Sequence, residues 1–163
     1  MSRITDRASI GGTYLAFEPT ATMESAIASA TPGDRQPSFM QTAHLNLRTE
    51  TSDSGEQDDI WLGFTYRIPG RFDAEAMARA VTRWVRRHGV MRGWFVPDAD
   101  RETGWARVDL AEDAIAFAAR DGGHIAAEDV NERISDDFRA GCNPLGRIGY
   151  SFRAVVGEDE TIF

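Results

Sequence analysis

Apolar residues first gather at Tyr14-Leu15-Ala16-Phe17, a short strand-like run closed by Glu18-Pro19-Thr20. An alanine-rich stretch over 21–30 suits a short helix, and Thr31-Pro32-Gly33-Asp34 reads as a turn. From Ser38 to Leu45 the spacing of apolar residues fits helix and strand equally. Thr49 to Asp59 holds no apolar residue and predicts an exposed loop. Alternation begins at Ile60, with Leu62, Phe64, Tyr66 and Ile68 on one face of a strand that Pro69-Gly70 ends. Asp73 is placed to cap a helix, with Glu75 in its first turn and Gly89 just past its end. Met77, Ala80, Val81, Trp84 and Val85 form the apolar stripe of that helix.

A strand from Val90 to Val96, a turn at Pro97-Asp98-Ala99-Asp100 and a returning strand from Gly104 to Leu110 make a hairpin. Val130, Ile134 and Phe138, spaced by four, predict a second helix over about 126–139 that Gly141 stops. Ile148 to Val156 reads as a strand. After the turn at Gly157-Glu158-Asp159-Glu160, Thr161-Ile162-Phe163 opens its hairpin partner. This order predicts an α+β domain: a mixed β-sheet with two main helices on one face.

The 163 residues suit one domain, and 42% hydrophobic against 27% charged residues is the balance of a globular chain. No run approaches the ~20 apolar residues of a membrane helix. The N-terminus lacks a signal-peptide core, and the lone Cys142 has no disulfide partner within the chain; both point to the cytoplasm. A net charge of −8 argues against nucleic acid or an anionic membrane as partner. The charge is uneven: residues 71–107 carry eight arginines against five acids, while 50–59 carry five acids and no base.

Familiar catalytic motifs are absent. Gly11-Gly12 and Gly122-Gly123 are isolated pairs, not phosphate loops. One cysteine excludes a cysteine-based zinc site, and His44, His88 and His124 are about forty residues apart, so no local metal motif exists. His124 and Glu128 read as a turn histidine and a first-turn acid. The segment richest in chemistry is Arg86 to Phe95. It puts His88 at a helix C-terminus and Arg92 mid-strand, on the face shared with Val90 and Trp94. Arg92 there either reaches solvent or a local carboxylate, or braces an active-site element supplied from elsewhere.

The stretch FDAEAMARAVTRWVRRHGVMRGWF resembles the first helix and second strand of condensation-domain acyltransferases, whose helix ends in Arg-His-x-x-Leu-Arg-x-x-Phe. Arg87, His88, Arg92 and Phe95 match, and Met91 stands in for leucine. PSFMQTAHL is similar to the family's Ser-x-x-Gln-x-x-x-Leu motif through Ser38, Gln41 and Leu45. CNPLGRIGYSFRAVV resembles its Asp-Pro-Leu segment, with Asn143 in place of Asp. TYLAFEPT followed by alanines is similar to the free-standing actinobacterial members called polyketide-associated acyltransferases.

The resemblance implies a chloramphenicol-acetyltransferase-like fold of two subdomains with a tunnel between them. It implies transfer of an acyl group from a carrier-protein or coenzyme A thioester to a hydroxyl or amine, in natural-product or lipid biosynthesis, with no metal and no cofactor beyond the thioester. In the family a His-His-x-x-x-Asp-Gly motif supplies the catalytic histidine, and its Asp is held by the arginine that Arg92 matches. That motif does not occur here, and none of the three histidines takes its place.

The expectation is therefore an N-terminal portion of such an enzyme: an extension over 1–37, then an incomplete subdomain over 38–163. It would carry no catalytic residue of its own, would be inactive alone, and would have a complementary C-terminal half as a possible partner. Such a half should show an unpaired sheet edge, an exposed apolar face and an Arg92 without a carboxylate. Two other readings stand beside it. One is a non-catalytic half-domain that docks a partner chain. The other is an unrelated small enzyme using His88 with an acid brought near by the fold.

Overall fold

A computed structural model describes residues 10–53 and 62–163. Strand β1 (Gly12–Pro19) leads through the Thr20 cap into α1 (Ala21–Ser29), and α2 (Phe39–Asp53) follows an extended linker. Strand β2 (Arg67–Pro69) precedes α3 (Ala74–Arg87), and the hairpin β3 (Gly93–Pro97) and β4 (Trp105–Asp109) comes next. Then come β5 (Phe117–Ile125), α4 (Val130–Gly141) and a closing hairpin of β6 (Phe152–Val156) and β7 (Glu160–Ile162). Five strands form a sheet in the order β2-β7-β6-β1-β5, and β3-β4 stands apart as a two-stranded ribbon. No helix among the described residues is long and apolar enough to cross a membrane.

The α+β class is as the pattern predicts, but the sheet differs in two ways. Every pairing is antiparallel, so it is not mixed. The two main helices also lie on opposite faces. Leu15 pairs with Ala154 and Phe17 with Phe152, and this face packs on Met77 and Ala78 of α3. Tyr14 pairs with Val155 and points the other way, onto Val130 and Ile134 of α4. Apolar residues at both parities of β1 and β6 cover both faces, a pattern local periodicity cannot assign to particular helices.

Helix α3 is the hub. Val81 and Val85 face a core of Met23 and Ile27 from α1, Trp94 and Val108 from the ribbon, and Ile115 and Phe117. The expected cap is present: the Asp73 carboxylate accepts from the Ala76 N–H at 2.9 Å.

Helix α4 is pinned by a polar cluster. The Tyr14 hydroxyl donates to Asp137 Oδ2 at 2.9 Å, Arg153 Nε to the same oxygen at 2.8 Å, and Arg133 Nε to Oδ1 at 3.2 Å. The Arg133 guanidinium also lies 4.8 Å from the Tyr14 ring centroid.

Several expectations change. Because β1 lies between β6 and β5, residues 12–19 are integral to the sheet, and a boundary at residue 37 does not set them apart. The ambiguous stretch after Ser38 is helical, and it runs into the span expected as a loop; the rest of that span, 54–59, lies outside the described residues. Of the strand expected over 60–68, residues 60 and 61 lie outside the described residues; from Leu62 onward regular strand begins only at Arg67, although Tyr66 and Phe163 exchange backbone hydrogen bonds of 2.7 and 2.9 Å.

Strand β5 has no sequence signature, because its residues 120–124 are exposed and polar or glycine. The Gly122-Gly123 pair makes its bulge against β1: a Cβ at Gly122 would meet the Tyr14 ring at 3.1 Å, and Gly123 has φ 88°. Among the described residues the sheet is open, with β2 and β5 at its edges.

Candidate functional site

Arg92 does not sit in a strand. Residues Gly89–Arg92 form a 3-10 turn, and the ribbon starts only at Gly93. The turn is tied at each step: Met91 N–H to the His88 carbonyl (2.8 Å), the Tyr150 hydroxyl to the Met91 carbonyl (2.9 Å), and Leu110 N–H to the Arg92 carbonyl (2.8 Å). The shared face of Val90, Arg92 and Trp94 is therefore lost; Val90 is exposed and Trp94 buried. Arg92 Nε is buried without a hydrogen-bond partner, and among the described residues no carboxylate pairs with its guanidinium. A buried cationic N–H without an acceptor is costly.

The neighbouring groove is apolar and encloses about 900 Å³. Its walls come from the 62–66 segment, from Met77, Ala80, Val81 and Trp84 of α3, from Met91, and from Tyr150 to Phe152. Phe152 anchors the floor, with Trp84 edge-on at 5.9 Å and Phe163 stacked at 6.4 Å. The rim is unusually apolar for a surface: Leu62 is 84%, Phe64 72% and Tyr66 60% exposed. The helical stripe of α3 thus has two fates. Val81 and Val85 enter the core, whereas Trp84 stays 47% exposed in the groove wall.

The matched motif residues divide by role. Ser38 and Gln41 form a reciprocal cap at the start of α2: Ser38 N–H donates to Gln41 Oε1 at 2.9 Å and Gln41 N–H to Ser38 Oγ at 3.4 Å. Their spacing is explained by folding alone. Ser38→Ala is expected to lower stability by about 1 kcal/mol, read from urea unfolding, and to cut the helical signal of α2.

His88 caps α3, its Nδ1 2.7 Å from the Trp84 carbonyl and its ring 5.2 Å from that of Trp84. No carboxylate approaches it among the described residues, so no acid–imidazole pair forms there. The Phe95 ring lies under Arg107 at 5.8 Å. Asn143 holds the turn before β6, its side-chain oxygen accepting from Leu145 N–H at 2.9 Å. An Asp there would accept the same bond.

His44 lines the groove, whereas His124 pairs across from Thr13 in the sheet, so the histidines do not converge. Cys142 also lines the groove, its thiol pushed up from 9.0 by burial, against the Arg153 charge. Burial pushes the Tyr150 hydroxyl up to about 12, so it acts as a neutral donor. Among the described residues no group of three or more His, Cys, Asp or Glu side chains could hold a metal ion.

Sequence reasoning singled out Arg92 but not the groove beside it, whose walls come from segments more than a hundred residues apart. The one local signal was Trp84, a large aromatic on the edge of the α3 stripe.

No family model matches the sequence, and no curated protein is similar to it. Among solved structures, one described as a PapA2 acyl transferase matches with a TM-score of 0.78 at 19% sequence identity. The match covers 96% of this chain but 33% of that one, so this chain spans about a third of its length. What the two share is the fold, an α+β architecture of antiparallel sheet and packed helices.

Proposed function

We propose that this chain forms one half of a condensation-type acyl-transfer site, in which an acyl group passes from a carrier-protein or coenzyme A thioester to a hydroxyl or amine. The observation that carries this reading is Arg92, whose buried Nε lacks an acceptor and which follows Met91 of the groove wall. The likeness to a third of a PapA2 acyl transferase supports it. A complementary part would bring the His-His-x-x-x-Asp-Gly motif, its Asp accepting from Arg92 and its histidine taking the proton of the nucleophile as it adds to the thioester carbonyl. The thiolate then leaves and is protonated. Arg92 is on this view a positioning residue. The chemistry asks for no metal, and for no cofactor besides the thioester.

The test is complementation. The chain is incubated with acyl-coenzyme A and an alcohol or amine acceptor, alone and co-expressed with the remaining two thirds of a PapA2-type frame, and thiol release is followed. Alone it should match buffer; complemented, it should release thiol in an acceptor-dependent way. Transfer by the chain alone, or an inert complex of two folded and associated parts, would overturn the reading.

The exposed row of Leu62, Phe64 and Tyr66 beside the β2 edge favours a second reading, a non-catalytic module that docks a partner chain. A defined complex that forms and stays inert belongs to that reading.

A further inference from the structure

The exposed face of α3 carries charges the fold does not need. Arg79, Arg83 and Arg87 stand at i, i+4 and i+8, a row of like charges that repel one another. Glu75 offsets Arg79 at 3.8 Å. The neighbouring Arg86 is engaged by the carbonyls of Ile115 at 2.9 Å and Asp113 at 3.4 Å. Among the described residues neither Arg83 nor Arg87 has a carboxylate within ion-pair distance, although the net charge of the chain is −8. The row also adjoins the groove. Ala80 and Trp84 line it, and Arg83 and Arg87 stand three residues beyond each of them, on the solvent side of the same wall.

From this juxtaposition we infer that the groove takes a single-chain, phosphate-headed amphiphile from solution. Its alkyl chain lies against Met77, Val81, Trp84 and Phe152, and its head sits on Arg83 and Arg87. A volume of about 900 Å³ is within the range of small-molecule sites. Guanidinium groups match phosphate geometry, and an anion here removes the repulsion along the helix. The inference concerns binding by this chain alone. Its failure would leave the proposed transfer standing, and a failed complementation would leave the binding standing.

The experiment is calorimetric titration of the full chain with decyl phosphate below its micellar concentration, with decanol and inorganic phosphate as controls. Decyl phosphate should bind one per chain, about tenfold more tightly than decanol, and inorganic phosphate should give no signal. Arg83→Glu with Arg87→Glu should bring decyl phosphate down to the decanol level and leave decanol unchanged. Added salt should weaken the phosphate alone. Ala80→Phe, which fills the groove wall, should weaken both ligands; should that variant unfold on thermal melting, the charge-reversal pair decides. Equal affinity for the two ligands, or indifference to charge reversal, overturns the inference. So does co-sedimentation with phosphatidylglycerol vesicles without binding of the monomer, which would make the row a membrane surface.

Discussion

Replacing Asp137 by alanine is expected to cost about 3 kcal/mol. The carboxylate accepts from Tyr14, Arg153 and Arg133 and joins β1, β6 and α4 across the sheet face. The Arg153 side chain is only 14% exposed and would be left without its acid partner. Tyr14→Phe removes one of these bonds and keeps the ring under Arg133, so it should cost about 1 kcal/mol.

The loss should depend on pH. Burial pushes the Asp137 carboxyl up, but hydrogen bonds from Arg153 and Tyr14 and the charges of Arg153 and Arg133 outweigh it and hold the group below its ordinary 3.8. A group that is harder to protonate in the folded state adds stability above its unfolded pKa and loses it as pH falls through the lower folded value. Urea midpoints of the wild type and Asp137→Ala should thus differ most near neutral pH and converge below about pH 4. A difference that persists unchanged to pH 2 would mean that packing, and not the ion cluster, holds α4.

That cluster shows where sequence reading stops. The helices α3 and α4 were legible because each announces itself locally: Asp73 and Gly89 bound one, and Val130, Ile134 and Phe138 space the other. The closing hairpin was legible from its turn. Which sheet face each helix takes was not, because Tyr14 and Leu15 are both apolar neighbours in one strand and only the register with β6 sends them apart. Strand β5 was missed for a related reason. Its exposed half, Arg120 to His124, satisfies its backbone against β1, not its side chains against a core.

At the site, the identity of Arg92 was legible but its setting was not. A strand is expected from the β-rich composition of Val90 to Val96, but it starts only at Gly93; the turn before it is held by a contact from nearly sixty residues away, the Tyr150 hydroxyl donating to the Met91 carbonyl. Ser38 and Gln41 carry the reverse lesson. A spacing that matches a family motif is here a helix cap.

Arg92→Met should separate folding from function, because the two effects have opposite signs. In the chain alone the substitution removes a cationic N–H that has no acceptor and keeps an apolar stem of similar length, so stability should rise by about 1 kcal/mol. In a complemented, active complex the same change removes the group that would hold the motif Asp. Turnover should then fall about a hundredfold with little change in KM for the thioester, as expected when a histidine is misplaced but substrate contacts survive. Arg92→Lys should rescue little, since an ammonium lacks the planar fork that pairs with a carboxylate. Loss of stability in the isolated Arg92→Met chain would show that the guanidinium is already paired within this half. It could not then be waiting for an acid from the other.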